Sequence, residues 1–129
     1  MTCEIPPIRV LVVDDEPLIC WSLAEALTEC GDEVSEAGSG AAALRVLAAA
    51  RTPIDVVLLD YCLPDCHDLA LLAAMKRLAP RSQIILMSAY CTPEVAKDAL
   101  AIGAHCVVNK PIDMRDVAAL VREAVSRPH

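Results

Sequence analysis

The sequence predicts a three-layer α/β domain, with a five-stranded parallel sheet in the order 2-1-3-4-5 between two layers holding five helices. Three observations carry that prediction. Short, β-branched apolar runs at residues 8–13, 55–59 and 106–108 read as strands buried on both faces, the pattern of a parallel sheet. Strand and helix signals alternate five times along the chain, which suits right-handed crossovers. The first and third strands end in acids, Asp14-Asp15 and Asp60, and the fifth ends in Lys110-Pro111. Strands one and three then flank the switch point, at the carboxyl edge where open sheets bind ligands.

The first strand runs into Pro17, which suits a first helical position because its missing N–H would find no partner there anyway. Ile19, Ser22, Leu23, Ala26, Leu27 and Cys30 form the inward stripe of this helix, and Gly31 ends it. Trp21 falls on the flank with Leu18 and Glu25. A short second strand over residues 33–37 leads to Ser39-Gly40, which opens an Ala-rich helix with Leu44 and Leu47 inward. The third strand ends at Asp60, Leu63-Pro64-Asp65 turns the chain, and Leu71, Leu72, Met75 and Leu78 mark the third helix. Residues 83–87 form the fourth strand. Thr92-Pro93-Glu94 starts a fourth helix that stops at Gly103. After the fifth strand, Asp113 caps a last helix with Val117, Leu120, Val121, Ala124 and Val125 inward. The expectation is one domain over residues 1–129, ordered over about 7–126, with flavodoxin-like topology.

Composition narrows the function. Hydrophobic residues make up 56% of the 129, yet Phe is absent and aromatics are 2%, so the core must be aliphatic. A formal charge of −7 argues against direct nucleic-acid binding, which needs clustered Lys and Arg. No stretch is long enough to span a membrane, and Met1-Thr2-Cys3-Glu4 lacks the order of a signal peptide, so the expected compartment is the cytoplasm. Seven cysteines without a CxxC pair fit a reducing compartment. Cys62, Cys66 and His67 form one local cluster, but it lacks a fourth ligand for zinc.

Three carboxylates gathered at adjacent strand ends repel one another, so one must take a proton or a cation must intervene. Mg²⁺ answers this need with oxygen ligands, and leaves part of its octahedron for water and phosphate oxygens.

At these residues the chain resembles the receiver domains of two-component response regulators. The resemblance rests on Asp14-Asp15, on Asp60 followed by Leu63-Pro64, on the hydroxyl in Leu86-Met87-Ser88-Ala89, and on Lys110-Pro111. It implies that Asp60 is a phosphoacceptor for a sensor histidine kinase or phosphotransfer domain. Mg²⁺ would be held by Asp15, Asp14, Asp60 and the backbone carbonyl of Cys62. Lys110 and Ser88 would contact phosphoryl oxygens, and the Lys110-Pro111 bond would be cis. Such a domain is a signalling module that catalyses only its own phosphorylation and dephosphorylation. Its partners would be a kinase docking near the first helix, where Trp21 sits, a downstream effector domain or protein, and a second copy in a homodimer.

Two positions depart from the family. Val107 stands where the family usually carries a switching Tyr or Phe, and Asp68 where its loop commonly carries Gly. Tyr90, two residues after Ser88, is the candidate to carry the switch instead. The alternative is a degenerate receiver that binds partners without phosphorylation. An aspartyl phosphatase is disfavoured because Cys62 occupies the place of its second Asp, and a flavin site because no hydroxyl- and glycine-rich loop follows the first strand.

Overall fold

A computed structural model describes residues 7–63, 65, 69–89 and 91–126. Ten elements alternate along the chain: β1 (Arg9–Val13), α1 (Pro17–Glu29), β2 (Glu33–Ala37), α2 (Gly40–Ala49), β3 (Val56–Asp60), α3 (Ala70–Leu78), β4 (Gln83–Ser88), α4 (Pro93–Ile102), β5 (Cys106–Asn109) and α5 (Met114–Ser126). The strands are all parallel, in the order β2-β1-β3-β4-β5. This is the order that the five alternating strand and helix signals predict, and it places the charged ends of β1 and β3 side by side.

Successive strand residues face opposite sides, so each central strand feeds two cores. Val10, Val12, Val56, Leu58, Ile85 and Met87 meet Cys20, Leu23 and Leu27 of α1 and Val117, Val121 and Ala124 of α5. On the other face, Leu11, Val13, Val57, Leu59, Ile84 and Leu86 meet Ala43 and Leu47 of α2, Leu71, Leu72 and Met75 of α3, and Ala99 of α4. Burying one such Val, Leu or Ile contributes about 1.5–3 kcal/mol. The strand ends, and the charges on them, are therefore held by packing on both sides. Among the described residues no aromatic ring is fully buried in either cluster, and Tyr61 packs against one of them partly buried.

Helix ends follow their capping residues. Gly31 and Gly103 close α1 and α4 at φ of 90° and 129°, a region other L-residues rarely enter. Ser39 Oγ accepts from Ala42 N–H at 3.1 Å, and Thr92 Oγ1 accepts from Val95 N–H at 3.2 Å. Asp113 caps α5 by accepting from Arg115 N–H at 2.9 Å.

Three inward assignments are corrected. Cys30 is exposed because it lies beyond the last turn of α1, and Cys20 is the buried thiol of that helix. Val125 is exposed because it sits about 100° round the helix from the buried Ala124. Leu78 ends α3 and borders an open groove between α2 and α3, together with Leu44, Arg45 and Arg77. The fourth strand also runs one residue further than expected, which brings Ser88 into the sheet.

A clamp between distant segments completes the frame. Arg122 of α5 donates to both carboxylate oxygens of Asp32, at 3.0 and 3.3 Å, and to the Cys30 carbonyl at 3.1 Å. Asp32 is buried while the guanidinium is partly exposed. Arg122→Ala strands a buried carboxylate, a change that costs about 3–5 kcal/mol in a fully buried pair. With this degree of exposure the expected loss is about 2–3 kcal/mol. Urea unfolding followed by far-UV circular dichroism measures it, and a loss below about 0.5 kcal/mol, ordinary for surface changes, would show that water replaces the guanidinium.

Candidate functional site

The sheet register brings the predicted residues together. Val13 lies beside Leu59, Asp60 beside Met87, and Ser88 beside Asn109. The next residue along β1 is Asp14, whose N–H bonds the Ala37 carbonyl at 3.1 Å. The Lys110 N–H bonds the Ser88 carbonyl at 2.8 Å, which ties the lysine backbone to the end of β4. The Lys110–Pro111 peptide is cis.

Carboxylate oxygens of Asp14, Asp15 and Asp60 all lie within 4.8 Å of one another. Asp14 and Asp60 are 1% and 6% exposed, whereas Asp15 faces solvent. Lys110 Nζ lies 2.8 Å from Asp14 Oδ2 and 3.4 Å from Asp60 Oδ2. The remaining oxygens of the buried pair are also engaged. Asp14 Oδ1 accepts from Glu16 N–H at 3.0 Å, and Asp60 Oδ1 accepts from Cys62 N–H at 3.2 Å.

One ammonium does not neutralise three carboxylates. Burial pushes the Asp60 carboxyl above its ordinary value; the Cys62 N–H opposes this, the Asp14 charge adds to it, and Lys110 opposes it. Burial alone would draw Lys110 down, but its hydrogen bond to Asp14 and the charges of Asp14 and Asp60 outweigh that and hold its pKa above the ordinary lysine value. The donor set is hard oxygen, partly buried and short of positive charge, which fits a divalent cation such as Mg²⁺. Among the described residues this trio is the one group of acids, histidines and cysteines close enough to hold a metal.

A cavity of about 890 Å³ opens over Asp60. Asp15, Glu16, Ser88 and Lys110 form its polar side, and Ile19, Leu23, Met87, Ile112 and Met114 its apolar side. Ser88 is buried at the end of β4 and is among the residues that line the cavity.

The other sequence candidates fall in different places. Trp21 is 59% exposed on α1, next to Leu18 at 73%. Val107 is half-buried and packs against the cluster beneath α2, α3 and α4. Tyr90, Asp68, Cys66 and His67 lie outside the described residues.

Two neighbours of the site escaped the sequence reading. Glu16 Oε1 comes within 3.8 Å of Lys110 Nζ, and its place directly after the acidic pair was the available signal. Cys20 Sγ donates to the Asp14 carbonyl at 3.1 Å; burial first, then the charges of Asp14 and Glu36, push its thiol up to about 11. It is a packing thiol and carries no reactive thiolate.

Comparison with known proteins agrees with this geometry. The family described as response regulator receiver domain matches residues 10–122. Transcriptional regulatory protein KdpE of Mycobacterium tuberculosis H37Rv is 41% identical over 118 residues, which are 92% of this chain and 51% of KdpE. DNA-binding transcriptional regulator NtrC of Escherichia coli K12 is 38% identical over 91% of this chain and 24% of NtrC. The chain thus spans about half the length of one relative and about a quarter of the other. A CheY-like receiver domain from Methanospirillum hungatei JF-1 superposes with a TM-score of 0.86 at 28% identity, over 93% of this chain and 94% of that one.

Proposed function

The chain belongs to the response regulator receiver domain family of two-component systems, a signalling fold rather than a conventional enzyme, and from that premise we propose that Asp60 accepts a phosphoryl group from a histidine kinase or phosphotransfer protein. The observation that supports this reading best is the placement of the Asp60 carboxylate, at the floor of an open cavity, between two further carboxylates and one lysine.

In the proposed reaction an Asp60 oxygen attacks phosphorus, and the bond from phosphorus to the donor nitrogen breaks with its electron pair leaving on the donor. The chain's part is positioning and electrostatics. Asp60 is held by the Cys62 N–H at 3.2 Å, which fixes one oxygen and leaves the other toward Lys110. Lys110 gives up its contact with Asp60 to meet a phosphoryl oxygen, and the Ser88 hydroxyl donates to another. Asp14, Asp15, Asp60 and the Cys62 carbonyl would hold Mg²⁺, which would supply positive charge against the phosphoryl oxygens. The degenerate-receiver alternative is disfavoured, since acceptor, acids, hydroxyl and lysine are all present and adjacent.

Incubation with phosphoramidate and Mg²⁺, followed by intact-mass measurement, tests the reading. Addition of one phosphoryl group that requires Mg²⁺ is expected, and a mass that never changes would rule it out.

The upstream partner in this reading is a kinase or phosphotransfer domain in the cytoplasm. The downstream partner is an effector, as the regulator names of KdpE and NtrC suggest, and a second copy of the chain is a further candidate. Among the described residues no helix is long and apolar enough to cross a membrane. Trp21 and Leu18 form an exposed apolar pair on α1, which borders the cavity through Ile19 and Leu23. They are the proposed kinase contact. Truncating such an anchor costs about 2 kcal/mol, roughly 30-fold in affinity. Trp21→Ala is therefore expected to slow transfer from the cognate kinase by about that factor below saturation, while transfer from phosphoramidate is unchanged. Equal rates with the kinase would remove Trp21 from the interface.

A further inference from the structure

Asp65 lies five positions past Asp60. Asp65 reaches across to α2, where its Oδ1 accepts from Gly40 N–H at 2.9 Å and its Oδ2 from Ala41 N–H at 3.1 Å. The first N–H groups of a helix have no partner within the helix. In α2 the side-chain partners account for three of them: Asp65 takes Gly40 and Ala41, and Ser39 Oγ takes Ala42. A carboxylate there also meets the positive end of the helix dipole. The approach is close: a Cβ on Gly40 would stand 3.3 Å from Asp65 Oδ1 and 3.0 Å from Leu71 Cδ2, so a larger residue there would have to push those side-chain ends back by a few tenths of an ångström.

We infer that Asp65 is a positioning residue, one that fixes the acceptor's exit loop to the first turn of α2 and so sets where the Cys62 carbonyl stands. Asp65 is three residues past Cys62, a span of at most about 10 Å, so anchoring one restrains the other. Cys62 in turn holds Asp60 through its N–H. The turn that opens α2 is also bonded to β1's end, because Ala37, just before that turn, accepts from Asp14 N–H at 3.1 Å. The 37–41 turn is thus bonded both to the β1 acid and to the acceptor's loop. The inference rests on Asp60 being the acceptor, and it adds a residue that touches neither phosphate nor cation.

The competing role is purely structural: Asp65 caps α2 and does nothing for the site. Ser39→Ala separates the two, because it removes a cap bond from the same helix turn without touching the loop. Mg²⁺ binding to the unphosphorylated protein is measured by calorimetry, and phosphorylation by phosphoramidate is followed by intact mass. Asp65→Ala is expected to weaken Mg²⁺ binding by about 10-fold, the lower end of what partners that orient ligands contribute, and to slow phosphorylation at fixed Mg²⁺. Asp65→Asn keeps one acceptor oxygen and should fall between Asp65→Ala and the parent. Ser39→Ala should bind Mg²⁺ like the parent. Parent-like binding by Asp65→Ala, or an equal loss in Ser39→Ala, overturns the inference while the acceptor assignment stands. A parent that takes neither Mg²⁺ nor phosphate overturns both.

Discussion

Asp60→Asn is expected to reduce phosphate incorporation to background, by more than about 10³-fold, the scale of effect when a nucleophile is removed. Asn keeps nearly the same volume and can still accept from the Cys62 N–H, so the pocket should hold its shape. What it loses is the anionic oxygen that attacks phosphorus. The same variant should gain stability in metal-free buffer. Burial holds the Asp60 carboxyl above its ordinary value in the folded chain. The folded state therefore retains a proton that the unfolded state has already released. Stability falls as pH rises from the ordinary carboxylate value through the folded one, and is flat above it. Asn abolishes that slope. Melting with chelator at neutral pH should place Asp60→Asn above the parent, and incorporation equal to the parent would sink the assignment of Asp60.

Lys110→Ala is expected to move stability the other way. Lys110 Nζ is the cation nearest the buried Asp14, at 2.8 Å, and also faces Asp60 at 3.4 Å. Its removal leaves carboxylates facing one another across a partly buried pocket. A stranded buried charge costs about 3–5 kcal/mol, but one acid here can take up a proton, so about 2–4 kcal/mol is expected without metal. Phosphorylation should slow by about 10²–10³-fold, the scale on which a single preorganised contact to developing charge acts. Two substitutions in one pocket would then shift the metal-free unfolding midpoint in opposite directions. A variant that melts lower yet takes phosphate at the parent rate would make Lys110 structural only.

The charges that organise the site were legible because each ends an apolar run. Asp14, Asp15, Asp60 and Lys110 mark strand ends, and a parallel sheet with a switch point can only gather them. The strand order followed from the five alternating strand and helix signals, and the helix starts at Ser39, Thr92 and Asp113 from side chains that can accept from free helix N–H groups. Contacts between distant segments left no local trace. Asp65 meets α2 some 25 positions back, and Arg122 meets Asp32 across 90. Nothing in a run of apolar residues announces either pair. Helix phase was legible in mid-helix and failed at the ends: Cys30 and Leu78 sit where their helices stop, and Val125 in the last turn of α5 is turned away from the buried Ala124. The loop positions Asp68 and Tyr90 lie outside the described residues; a switch carried by Tyr90 is expected to concentrate the amide shifts on phosphorylation in residues 88–103.

The aliphatic core also decides how this molecule can be watched. Its single Trp stands largely in solvent, and no Phe exists to add ultraviolet signal from the interior. Indole emission will therefore change little when the chain unfolds. The same indole sits on the helix beside the mouth of the cavity, where an approaching protein would dehydrate it. Emission that serves as a folding gauge in most small domains becomes, in this one, an intrinsic optical reporter of association.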